Sequence, residues 1–348
     1  MSSPPSALEF LQAQPVREGR ARVVIEGITP QVDCGRFPIK RVIGEQVTVE
    51  TDAYADGHDV LVCLLRHRHE SNAQWSETAM TNLGNDRWRG EFRVERMGVY
   101  CYTVIAWVDR FLTWRHDLLR RVDHADILVA GQAGARLVAE AAKRALPADA
   151  ARLQEWAQRL SGAADANQIQ DIARDEELAL VLARHADRRF ATCHEPELAV
   201  TVDRERARYS SWYEMFPRST SPEAGRHGTF RDCEARLSYV AELGFDVLYL
   251  PPIHPIGRTN RKGQNNALQA GPDDVGSPWA IGAAEGGHTS IHPELGTLED
   301  FVRLRERARS LNIEIALDIA FQTSPDHPHV REHPEWFTWR PDGTVQYA

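Results

Sequence analysis

Three patterns of hydrophobic and polar positions succeed one another along the chain. From about residue 20 to 122, apolar residues come in short β-prone runs: Val47-Thr48-Val49, Val60 to Leu65, and the long run from Val99 to Val108. Asp56-Gly57 and Gly84-Asn85-Asp86 stand between them, and these residue types tolerate the left-handed backbone that turns require. Several short strands at this spacing predict a β-sandwich. From about 125 to 189, alanine, arginine and leucine take over. Ile127, Ala135, Val138 and Ala141 recur at helical spacing, as do Ile169, Ile172, Ala173 and Leu180, and Pro147 opens a fresh segment. This stretch reads as a small helical bundle. Leu198 to Val202 then resumes β character, so the helices read as an insertion that a returning strand closes.

The third pattern alternates strands with amphipathic helices. Tyr209 to Phe216 reads as a mostly buried strand. Phe230, Cys233, Leu237, Val240 and Leu243 form one helical stripe, and Leu298, Phe301, Leu304, Ala308 and Leu311 another. Thr229 with Asp232, and Thr297 with Asp300, resemble capping boxes with an acid in place of the usual Glu or Gln. Gly244 and Asn312 stand where the helices should stop. Phe245 to Leu250 and Ile313 to Ile319 are the strands that follow. Such short helix-to-strand links predict parallel pairing, in a barrel or a doubly wound sheet alike. The expected organisation is a flexible N-terminus over 1–19, a β-sandwich over 20–124, a helical insertion over 125–190, its return strand over 191–208, and an α/β region over 209–348.

Composition narrows the function classes. The formal net charge is −9, which disfavours nucleic acid or an anionic membrane as partner. The five cysteines include no CxxC pair, which suits a reducing compartment. Met1 to Gln14 lacks a basic segment followed by an apolar core, and no apolar run approaches a membrane span. The expectation is a cytoplasmic protein. Trp75, Trp88, Trp107 and Trp114 are read as filling a small β core ahead of stacking on sugar rings.

The candidate chemistry sits in the loop from Pro251 to Gly296, which is long for a compact unit. Arg258, Arg261 and Lys262 cluster there, followed by Asn265 and Asn266. Arginine and lysine offer charge-assisted donors to phosphate or sugar oxygens. Asp318 ends the third strand, either as a structural carboxylate or as a ligand contact. His327, His329 and His333 match no zinc spacing, and the prolines among them argue for an extended loop, so no metal is expected. Neither GxxxxGK[ST] nor GxGxxG occurs, and no cofactor is expected.

Longer motifs carry a resemblance. Gly244 to Pro255 (GFDVLYLPPIHP) resembles the second-strand motif of the α-amylase superfamily, and Leu317 to Gln322 occupies the place of its third-strand motif. Gln322-Thr323 stands where ordinary amylases carry Asn-His. Tyr209 to Ser219, Gly257 to Gly263, Gly276 to Gly282, Gly286 to Thr297, and Gln322 to Pro328 are similar to a bacterial family of maltosyltransferases that use maltose 1-phosphate. The resemblance implies a (β/α)₈ barrel, of which this chain carries the first three β/α units, since a closed barrel takes roughly 250 residues. It also implies transfer of maltose from maltose 1-phosphate to an α-1,4-glucan with retention, a homodimer, and donor contacts from Lys262 and Gln322. Asp318, Arg261, Asn265 and His288 are supporting candidates. The nucleophile and the acid/base are expected beyond Ala348, so the chain alone is expected to be inactive. The other readings are a branching enzyme or hydrolase of the same superfamily, and a non-catalytic glucan-binding or dimerisation module.

Overall fold

The computed structural model describes residues 19–346. The flexible stretch expected over residues 1–19 lies, up to residue 18, outside the described residues. The chain divides into two compact units, one ending at Glu205 and the other starting at Arg206.

The first unit is built on two sheets. One joins β1 (Val24–Thr29), β3 (Gln46–Tyr54), β7 (Arg87–Arg93) and β6 (Thr81–Gly84), antiparallel throughout. The other joins β2 (Ile39–Val42), β10 (Leu198–Asp203), β8 (Gly98–Val108), β4 (Leu61–His69) and β5 (Ser76–Ala79), and β9 (Thr192–Cys193) also pairs with β8. The period of two decides which side chains are inside. Val47, Val49 and Ala53 of β3 and Trp88 and Phe92 of β7 share one core with Leu65, Tyr102 and Val104 of the second sheet. Burying each such large side chain is worth about 1.5–3 kcal/mol. The turn signals act as expected: Gly57, Asn85 and Asp86 all have positive φ.

The helices leave β8 and return beside it. They are α1 (Arg110–Arg120), α2 (His124–Ala142), α3 (Pro147–Gly162), α4 (Ala166–Arg174) and α5 (Glu176–Arg184). Immediately afterwards β9 pairs with Ile105 and Ala106 of β8, and β10 runs antiparallel to the start of β8. The return strand read at Leu198 to Val202 therefore belongs to the sandwich sheet.

One reading needs correction. The β region does not extend to residue 124, because α1 starts at Arg110. Asp109 caps it by accepting from the Leu112 N–H at 2.9 Å, and Phe111, Trp114 and Leu118 supply a helical stripe. Trp114 thus belongs to the helical core rather than the β core. Its indole lies so close to α2 that a Cβ on Gly134 would fall 2.2 Å from it. Leu180, read as part of an inward face, points out at 66% exposure, while Leu178, Val181 and Leu182 are buried.

The second unit holds a parallel sheet in the order β11 (Trp212–Glu214), β12 (Val247–Leu250), β13 (Glu314–Leu317). The helices α6 (Phe230–Glu242) and α7 (Leu298–Ser310) connect them, and both capping boxes form. Gly244 and Asn312 end the helices with positive φ. Phe230, Leu237, Leu248, Leu250 and Leu304 make the core between helices and sheet. The strands are shorter than read. Residues 209–216 do not form a buried strand: Tyr209 is 81% and Trp212 53% exposed, because β11 has a neighbour on one side only. Ile319 and Phe321, beyond the end of β13, are also exposed.

Candidate functional site

Two segments meet beyond the C-terminal ends of β12 and β13: the loop from Pro251 to Gly296, and residues 318–336. Backbone pairing ties them together. Ile281 bridges Ile256 on one side and Thr323 on the other. The Ser324 N–H donates to Ile281 O at 2.7 Å, and the Gly257 N–H to Ala280 O at 2.8 Å. The approach is so close that a Cβ on Gly257 would lie 1.8 Å from Ser324 Oγ. Glycine is needed there for space, not for backbone freedom. Asp326 adds a polar latch, accepting from the backbone N–H of Arg258 (2.6 Å) and Thr259 (2.7 Å) and from the Thr259 hydroxyl (2.5 Å).

Arg261 is a staple. Its guanidinium donates to the carbonyls of Gly257 (2.8 Å), Ile256 (2.9 Å) and Asp274 (2.8 Å). Arg218 donates to Gly276 O at 2.7 Å from below. These bonds use the donors that sequence reasoning offered to a ligand, so Arg261 shapes the loop rather than reaching out of it. Lys262 is different. Its neighbours Arg261 and Gly263 are both anchored, the latter through its N–H to Ala267 O at 2.9 Å, while its own side chain is exposed. Among the described residues its ammonium has no partner. Gln322 is likewise exposed and unpartnered, one residue before the Thr323 bridge. Asn265 is exposed on a short turn with φ 52°.

Asp318 is held by two donors. Its Oδ2 accepts from the Tyr249 hydroxyl and from Trp279 Nε1, both at 2.7 Å. The carboxylate beside it pushes the Tyr249 hydroxyl up to about 12. Asp318 thereby links β12, the long loop and the end of β13, which is the structural-carboxylate reading.

His288 and His327 form an internal relay of hydrogen bonds. His288 Nε2 lies 2.7 Å from Ala320 O, so it donates there, leaving Nδ1 to accept from His327 Nε2 at 3.1 Å. His327 Nδ1 then accepts from the His329 N–H at 3.1 Å. This arrangement uses both rings in the neutral form. Burial pushes His327 down to about 4, with the neighbouring histidines adding to the effect. The ring is 1% exposed, wedged where Cβ atoms on Gly282 and Gly287 would lie 2.5 and 2.1 Å from it. Burial lowers His254 and His292 in the same direction. Sequence reasoning missed Asp326, His327, Tyr249 and Trp279. The glycines at 257, 282 and 287 were the available signal, since each marks a close approach.

The histidine run needs a finer description than the sequence allowed. His327 is internal, while His329, Glu332 and His333 bring three ligand-capable atoms within 4.8 Å of one another around α8 (Pro328–Glu332). Each already has a contact: His329 with Glu332 at 3.1 Å, and His333 stacked on Trp336 at 4.0 Å. Beneath the loop, a cavity lined by Phe216, Pro252, His254 and His292 measures about 20 Å³, room for one water and not for a sugar. Among the described residues no helix is long and apolar enough to cross a membrane.

The family model described as alpha-1,4-glucan:maltose-1-phosphate maltosyltransferase, domain N/S, matches residues 21–204, and that of the alpha amylase catalytic domain matches residues 167–343. The maltosyltransferase of that name from Chlorobaculum tepidum is 50% identical over 98% of this chain and 52% of its own length. The one from Myxococcus xanthus is 51% identical over 94% of this chain and 50% of its own. The chain thus spans about half the length of the curated relatives it matches. An α-amylase structure from Lactobacillus plantarum is 40% identical over 40% of this chain and 29% of its own, with a TM-score of 0.33. With the N-terminal model covering the sandwich and its helical insert, and the amylase model covering the latched loops, the chain belongs to the α-1,4-glucan:maltose-1-phosphate maltosyltransferase family.

Proposed function

We propose that the whole protein moves a maltosyl unit from α-maltose 1-phosphate to the non-reducing end of an α-1,4-glucan, releasing phosphate with retention of configuration. The observation that carries this reading is 50% identity, over nearly all of this chain, to a protein named for that reaction. The setting is cytoplasmic synthesis of glycogen or a related glucan, by a homodimer that needs no cofactor. The three parallel strands are read as the opening units of a (β/α)₈ barrel. The support is their order and the placement of polar loops at their C-terminal ends, where barrel enzymes carry their sites.

Retention requires two displacements. A carboxylate attacks C1 while the acid/base carboxylic acid gives its proton to the bridging oxygen, the C1–O bond breaks, and phosphate leaves. The acceptor hydroxyl then attacks C1, gives its proton to the acid/base carboxylate, and displaces the first carboxylate. No residue of this chain is assigned to either role. Its part is donor binding. Lys262 brings three ammonium donors and Gln322 an amide that both donates and accepts, which suits adjacent sugar hydroxyls. Among the described residues both are exposed and unpartnered, and the backbone beside each is anchored, so the ordering left for the ligand is that of the two side chains and not of the loop. Asp318, Arg261 and His288 support the loops, and Asn265 is a further polar contact.

The test is the whole protein with maltose 1-phosphate and glycogen. Phosphate release with lengthening of glucan chains is expected. Hydrolysis to free maltose without chain growth would replace this reading with a hydrolase.

A further inference from the structure

Where the helical insert leaves β8 and returns to it, the first unit encloses a cleft of about 710 Å³, within the size range of small-molecule sites. Both signs of charge line it, but they are not balanced. Asp59 pairs with Arg22 at 2.7 Å, and Asp187 with Arg189 at 2.6 Å. Asp109 caps α1, and Glu140 takes Lys143 at 2.6 Å. Every carboxylate on the wall is therefore engaged. Arg110 and Arg136 also face the cleft, both are exposed, and among the described residues neither has a hydrogen bond or an ion pair. Trp107 lines the same cleft and is 4% exposed. Phe111 and Phe190 add apolar wall.

We propose that this cleft binds a phosphate-bearing small organic molecule. The forks of Arg110 and Arg136 take the phosphate, since a guanidinium matches phosphate oxygens in bidentate fashion. The organic part lies against the aromatic wall. This site is distinct from the loops beyond β12 and β13, and does not depend on the maltosyltransferase reading.

The experiment is calorimetric titration of the chain with adenosine diphosphate, glucose 1-phosphate, inorganic phosphate, citrate and maltose. At least one of the two organic phosphates should bind at millimolar concentration or below, more tightly than inorganic phosphate or citrate, with maltose silent. The double variant Arg110→Gln/Arg136→Gln should weaken that binding at least tenfold, with thermal melting unchanged because both arginines are exposed. The proposal is overturned if neither organic phosphate binds, if inorganic phosphate or citrate binds equally well, or if binding survives the double variant.

Discussion

Acid should loosen the latched loops through His327. Its ring is buried between Gly282 and Gly287 and hydrogen-bonded in a pattern that needs it neutral. Burial holds it at about 4, against an ordinary 6.5. The unfolded chain therefore takes up this proton first, and stability is lost as pH falls from about 6.5 toward 4, with no further loss from this group below that. The full span sets a ceiling of roughly 3 kcal/mol, and at about pH 5 the loss is about 2 kcal/mol. Two measurements check it. Proton NMR should show one imidazole still neutral at about pH 5, absent in His327→Asn. Urea unfolding of the second unit at about pH 7 and 5 should differ by that 2 kcal/mol more in the native chain than in His327→Asn. A His327 imidazole titrating near 6.5, or equal pH dependence in the two proteins, refutes the reasoning. The relay also joins Gln322's segment to the long loop through Ala320 and His288, and in the folded enzyme it holds until His327 itself takes a proton, so donor use should fall through this group only as pH nears about 4.

Other substitutions separate ligand contact from scaffolding. In the whole enzyme, Lys262→Ala removes charge-assisted bonds worth roughly 1.5–3 kcal/mol, so kcat/KM for maltose 1-phosphate should drop about tenfold to a hundredfold with the melting temperature unchanged. An unaltered donor response in phosphate-release assays would remove Lys262 from the site. Asp326→Ala leaves three donors unlatched, and should lower both donor affinity and the protease resistance of residues 257–263; intact resistance would show the latch to be dispensable. Thr297→Ala, which deletes one capping box, should cost about 1 kcal/mol in urea unfolding. Gly134→Ala pushes a methyl against Trp114 and should cost about 1–3 kcal/mol by overpacking; a neutral result would mean that α1 and α2 separate freely.

Much of the fold was legible because it rests on local physics. Thr229 with Asp232 and Thr297 with Asp300 cap helices through contacts three residues apart, and the Gly244 and Asn312 stops need only one residue's φ. The misreadings came where neighbours decide. Arg110 to Arg120 carries two aromatic residues that favour strands, and became helix because Asp109 caps it and α2 and α4 offer a surface for Phe111 and Trp114. Tyr209 to Phe216 is apolar enough for a buried strand, yet burial depends on what lies on both sides, and β11 is paired on one.

The site divided along the same line. Lys262 and Gln322, the proposed donor contacts, are visible in the sequence through the motifs that resemble the family's. A side chain that contributes by holding backbone is not, because its partners are far away in sequence. Asp326 reaches Thr259 across 67 positions, and Asp318 reaches Tyr249 across 69. Arg261 shows the cost of reading charge without geometry, since its fork is spent on three carbonyls of its own loop. The division has a physical use. Because the holding groups fix the loop before any ligand arrives, the binding energy proposed for Lys262 and Gln322 need not be spent on ordering it. The scaffold substitutions should therefore weaken donor binding in proportion to the loop order they remove, whereas Lys262→Ala weakens it with the loop intact. Hydrogen exchange of the Arg258 and Thr259 amides separates the two: fast in Asp326→Ala, unchanged in Lys262→Ala.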